Sequence, residues 1–179
     1  STIIYVVYAQ DIYDARSISM GSIKSVSENL SSIYNNPSIT GCINNSIGVN
    51  YYNRYSMKEL SDRIIFIKQV FRDNSFGLMF HKYGYDMYSE NNVVFGYSKK
   101  LSNTLYAGLN MCYNYIKIGD KYYKNYNYLS TSAGLYYNLN KRLYIGTSLL
   151  NFSSTGNKYH QKNISLNIGI SYMLYDYLK

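Results

Sequence analysis

The sequence predicts an all-β fold: a small antiparallel transmembrane β-barrel of about eight strands, preceded by an N-terminal segment that contains a short helix. Three observations predict it. From Ser46 onward, polarity alternates with period two. Near Leu105 the pattern is clearest: Leu105, Ala107, Leu109, Met111, Tyr113 and Tyr115 share one face, and Tyr106, Gly108, Asn110, Cys112 and Asn114 the other. A strand sends successive side chains to opposite faces, so one face is apolar and one small and polar. Second, Gly48, Gly77, Gly96, Gly108, Gly134, Gly146 and Gly169 fall opposite the apolar stripe. Gly inside a strand marks sharp curvature or close backbone approach, as on the inner face of a small barrel. Third, the connections alternate in length. Arg72-Asp73-Asn74, Lys100-Leu101-Ser102-Asn103 and Leu139-Asn140-Lys141 read as short turns; those near 56–61, 84–90, 117–126 and 153–162 read as longer polar loops. Short turns on one rim and long loops on the other is the outer-membrane pattern.

The elements follow in order. Val7 and Ala9 before Gln10 have the small-residue spacing of a signal-peptidase site, so residues 1–9 read as a signal-peptide remnant. Ile3 to Tyr8 reads equally well as a mature β-strand, and both readings stand. Residues 1–45 form an N-terminal segment. Ser25 and Glu28 have capping-box spacing, and Val26, Leu30 and Ile33 recur at helical spacing, so a short amphipathic helix is expected at about 26–34. Asn35-Asn36-Pro37 stops it. A segment of roughly 45 residues is too large for the interior of an eight-stranded barrel, so it is expected under the short-turn rim or against a partner. Residues 46–179 form the barrel, with strands at about 46–55, 62–71, 75–83, 91–99, 104–116, 127–138, 142–152 and 163–174.

Composition bounds the rest. The 179 residues suit one domain, and a hydrophobic share of 46% argues against global disorder. Two Cys exclude a disulfide scaffold; one Pro and 12 Gly exclude collagen-like and Pro-rich chains. No run approaches the ~20 apolar residues of a membrane helix. Mean hydropathy is −0.29, and barrel strands score low in any case. A soluble lipocalin-like barrel would turn its apolar face inward. Here the Gly, Asn and Ser face is too small and polar for that, while the Leu, Ile, Val, Phe and Tyr face suits lipid. Of 25 Tyr, many cluster at strand ends, among them Tyr83, Tyr85, Tyr88, Tyr115, Tyr126, Tyr128 and Tyr172, as at a membrane interface.

The net charge of +8 is dispersed. Arg72, Lys99, Lys100, Lys141 and Arg142 lie at the short turns, and Lys117, Lys121, Lys124, Lys158 and Lys162 in the long loops. Without a contiguous basic stripe, nucleic acid is not expected; outer-membrane lipid and lipopolysaccharide phosphates are. His81 falls on the inward face of the third strand and His160 in an outer loop. No H-E-x-x-H, C-x-x-C, G-x-G-x-x-G or Walker pattern occurs, so no metal, cofactor or catalytic residue is expected. A Ser/His site on His81 is the one enzymatic alternative, and a buried, hydrogen-bonded His the preferred reading. Cys42 and Cys112 are too far apart along the strands to bridge and are expected as free thiols.

Two stretches resemble the Bacteroidota outer-membrane barrel group of PorV and PorQ, itself distantly similar to FadL transporters. One is Ala15-Arg16-Ser17-Ile18-Ser19-Met20-Gly21 followed by Asn29 to Pro37. The other is the hairpin from Val94 to Gly108. Asn167, Gly169, Tyr172 and Leu174 resemble the final-strand signal read by outer-membrane assembly machinery. The resemblance implies a bacterial outer-membrane barrel in shortened form, with membrane-protein partners. Together with the filled interior, it leads to the expectation of a non-catalytic accessory or scaffold subunit of an envelope complex, secretion- or transport-related. A FadL-like transporter of small hydrophobic molecules and a lipid-modifying outer-membrane enzyme are the alternatives.

Overall fold

The computed structural model describes residues 31–53, 56–119, 124–140, 142–156 and 163–172, together with Ser25, Val26, Glu28, Asn29 and Tyr122. Eight antiparallel strands form one sheet in sequence order. They are β1 (Ser46–Asn53), β2 (Ser61–Phe71), β3 (Asn74–Tyr85), β4 (Tyr88–Lys100), β5 (Leu105–Ile118), β6 (Tyr126–Asn138), β7 (Leu143–Gly156) and β8 (Ser165–Tyr172). All eight expected strands are present, each within a few residues of its expected place. Each pairs only with its sequence neighbours, because short connections leave consecutive strands adjacent.

The expected closed barrel is not found. The sheet is open: β1 and β8 are its two edges, and neither pairs with a further strand among the described residues. The loop expected near 84–90 is also corrected. Tyr85 pairs with Tyr88, so the β3–β4 turn is Asp86-Met87 alone. Polarity misled there because Ser89 and Glu90 are buried strand residues, Glu90 on the polar concave face beside Asn92. Gly84 adopts φ 93°, which allows the bend beside the turn.

The N-terminal segment holds the main surprise. Residues 31–40 are all buried. They comprise a four-residue helix, α1 (Ser32–Asn35), and the start of a 3₁₀ turn, Pro37–Cys42. This segment lies against the concave face of β3 to β6 rather than beneath a rim. The helix is shorter and later than expected. Ser25 does not open it: the residue is seated against Gly146 and Gly169, and its carbonyl accepts from Asn36 Nδ2 at 2.7 Å. Glu28 does not close a capping box, because its carboxylate accepts from the Tyr136 hydroxyl at 2.7 Å. Tertiary contacts hold both residues.

The convex face carries the apolar residues. Val49, Ile65, Phe80, Val93, Tyr113 and Leu129 follow one hydrogen-bonded row across six strands. Ile47, Ile67, Leu78, Phe95 and Met111 follow the next. A third joins Phe76, Tyr97, Leu109, Ala133, Leu149 and Leu166. Most of these side chains are exposed, with Val49 at 76%, Leu109 at 55% and Leu166 at 66%.

Candidate functional site

The concave face and the segment that plugs it form the most organised site. Three cross-strand glycine pairs receive the plug: Gly77 with Gly96, Gly108 with Gly134, and Gly146 with Gly169. Ile33 sits over the first pair, where an added Cβ would stand 2.9 Å from its Cγ1 at Gly77 and 3.2 Å from its Cγ2 at Gly96. Asn36 and Pro37 occupy the second. A Cβ on Gly108 would overlap the Pro37 and Ser38 backbone, and one on Gly134 the Asn36 amide. Ser25 and Val26 occupy the third, with the Ser25 carbonyl where a Gly146 Cβ would stand. The glycines expected to serve barrel curvature make room for a second layer of chain.

The pairs run diagonally. Gly96 opposes Asn110, two residues from Gly108, and Gly134 opposes Ser148, two residues from Gly146. A step of two residues, about 6.6 Å, for every two strand spacings, about 9.6 Å, inclines the plug path about 35° to the hydrogen-bonded rows. That is the inclination of strands in barrels.

Polar side chains on the sheet satisfy the plug's backbone. Asn110 Nδ2 donates to the carbonyls of Ile33 at 2.8 Å and Tyr34 at 3.1 Å, which lie in the last turn of α1, where carbonyls run out of helical donors. Ser98 Oγ donates to the Ser38 carbonyl at 2.9 Å. The Lys68 ammonium, buried on β2, donates to the Ile43 carbonyl. Asn36 accepts from the Ser38 hydroxyl at 2.6 Å. Two apolar clusters flank this network. Ile33 and Tyr34 pack with Ile64, Phe66, Met79, Val94 and Cys112. Val26 and Ile39 pack with Tyr136, whose ring stacks on Tyr144 at 5.9 Å. The inward face is therefore less uniformly small and polar than its Gly, Asn and Ser content suggests.

His81 is buried, as the preferred reading had it. Its Nε2 meets Asp62 Oδ1 at 2.8 Å, and its Nδ1 accepts from Asn92 Nδ2 at 3.0 Å. These partners fix the tautomer with the proton on Nε2. Both ring nitrogens are engaged, so the geometry offers no Ser–His pair here. Cys42 and Cys112 are free thiols. Burial, with the Glu28 carboxylate adding to it, pushes the Cys42 thiol up to about 12, against a lowering pull from Lys68 and Lys100.

Of the final-strand signal, Asn167 and Gly169 lie on the concave side of β8, and Tyr172 is exposed on the convex side. Leu174 lies outside the described residues, as do His160, Lys121, Lys141, Lys158, Lys162 and residues 1–9. No group of side chains suited to a metal ion occurs among the described residues. Lys68 is a site residue the sequence reading did not name, and Asn36 and Asn110 it named only as part of the helix stop and as an inward-facing strand residue. Their signal was a polar residue at an inward strand position or before the lone Pro. No family model, no curated protein and no solved structure matches the chain.

Proposed function

We propose that this chain is a membrane-embedded β-sheet of the bacterial outer membrane, acting as a non-catalytic accessory or scaffold subunit of an envelope complex. One observation carries the membrane reading: three adjacent rows of exposed apolar side chains cover the convex face. On β4 they are Val93, Phe95 and Tyr97, bounded by Asn91 and Lys99. Asn91 and Lys99 are eight residues apart, about 26 Å along the strand, or about 20 Å of height at the 35–45° tilt of barrel strands, which approaches the ~25 Å apolar band of membrane barrels. Soluble monomers rarely expose apolar patches beyond a few hundred Å².

The scaffold reading rests on the concave face. The plug covers it where a transported molecule would pass, and the buried His81 is committed to Asp62 and Asn92. The resemblance of the N-terminal stretch to PorV and PorQ supports a secretion- or transport-related complex. The test is expression in a Gram-negative host, followed by fractionation and detergent extraction. Recovery in the outer membrane, solubility only in detergent, and co-purification of defined membrane proteins are expected. A chain that is monomeric and soluble without detergent overturns the membrane reading. A membrane-embedded chain that purifies alone and passes small hydrophobic solutes overturns the scaffold role.

A further inference from the structure

The two open edges are matched. β1 and β8 have eight residues each. First and last in an antiparallel sheet of eight, they run in opposite directions, so β8 of one copy meets β1 of another antiparallel, as the ladder requires. Their faces agree in the register that sets Val49 opposite Ile168, one residue off flush. Ile47, Val49 and Tyr51 face the convex side of β1, and Ile168, Ile170 and Tyr172 that of β8. Concave positions are Ser46, Gly48 and Asn50 on one edge and Asn167, Gly169 and Ser171 on the other. Joining the edges continues the apolar face and the small polar face without a break.

The plug opposes closure of one chain on itself. An eight-stranded barrel has an interior just wide enough for its own side chains, yet here the concave face also holds residues 31–40, all buried. A sheet curved around that filling needs more strands to close. In hydrocarbon an unpaired edge is not tolerated, because no water satisfies its N–H and C=O groups.

We propose that two copies of this chain close each other, β8 of each pairing with β1 of its partner about a two-fold axis. The product is one ring of twice the eight strands, with one plug filling each half. This rests on the membrane reading, and the test separates the two. A tagged Val49→Cys chain and a differently tagged Ile168→Cys chain are co-expressed, and outer membranes are treated with oxidant or a short bis-maleimide. The expected product is a cross-linked species of twice the 20.8 kDa chain mass carrying both tags, and weaker or absent when either variant is expressed alone. Light scattering of the wild-type chain in detergent should give two chains per particle. If the chains sit in the membrane but neither this pair nor its neighbours at Ile47, Tyr51, Ile170 and Tyr172 cross-link, the dimer is overturned and the membrane reading survives. Cross-linking inside a single Val49→Cys/Ile168→Cys chain, or to a different membrane protein, also overturns the dimer. Absence from the membrane overturns both.

Discussion

Gly108 and Gly96 both lie under the plug, but a methyl group would meet different things at each. At Gly108 it overlaps backbone atoms of Pro37 and Ser38, which cannot turn aside. At Gly96 it meets a side-chain methyl of Ile33 at 3.2 Å, which can shift slightly. Overpacking costs about 1–3 kcal/mol where neighbours can relax. Gly108→Ala is therefore expected at or above that range and Gly96→Ala below it, read as the midpoint of denaturant unfolding in detergent. Equal losses would mean the plug does not rest on Gly108. Cys42 gives a pH dependence. An unfolded thiol loses its proton near pH 8.5, whereas the folded one holds it to about 12. Between those values the folded state holds one more proton at Cys42, so this group makes stability fall as pH rises and does nothing below about 8.5, while Lys68, lowered by burial to about 8, opposes it until the unfolded ammonium titrates at about 10.4. Peptide mapping after maleimide labelling at pH 8 should show Cys42 slow in the folded chain and fast in denaturant. Fast labelling of both would contradict the burial.

At the scale of the element, Leu109 and Asn110 are neighbours on β5 that face opposite sides. Leu109→Arg on the convex face is expected to cost ~2–4 kcal/mol in the membrane. Asn110→Ala strips the donor from the Ile33 and Tyr34 carbonyls, at roughly 1–3 kcal/mol for each group left unpaired. Its loss should appear as faster protease cleavage within 31–42 while insertion persists; Leu109→Arg should instead reduce insertion. If Asn110→Ala impairs insertion and spares the plug, the two faces are exchanged. For β8, Gly169→Val with Tyr172→Ser is expected to leave less heat-modifiable protein in the outer membrane, since Gly169 belongs to the proposed assembly signal and its would-be Cβ also lies 3.2 Å from Ser25. Unchanged assembly would make β8 an ordinary strand. The strands were legible because Leu105 to Tyr115 alternates so regularly that a slip of one residue would invert the faces. The plug was not. Period two shows that Gly108 and Gly134 face one way together, and nothing local shows that Pro37 and Asn36 come to lie on them. The capping-box pair Ser25 and Glu28 was a true local signal overridden by Asn36 and Tyr136, partners far along the chain.

For the whole molecule, a membrane-facing sheet predicts β-rich circular dichroism in detergent and heat-modifiable migration on gels; a mainly helical spectrum would contradict it. The plug has a consequence for the order of folding. The sheet is a chain of neighbouring hairpins whose closure loops are short. The plug's contacts are distant: Asn110 to Ile33 spans 77 residues, and Tyr136 to Glu28 spans 108. Loop-closure entropy must be met before such contacts give anything back. Each glycine pair becomes a seat only once both its strands are in register. Pulsed hydrogen exchange should find amides of β3 to β6 protected before those of Tyr34 to Ile39. A segment that leaves the ribosome ahead of the sheet is thus seated only after it, and until then it stays open to a chaperone or protease.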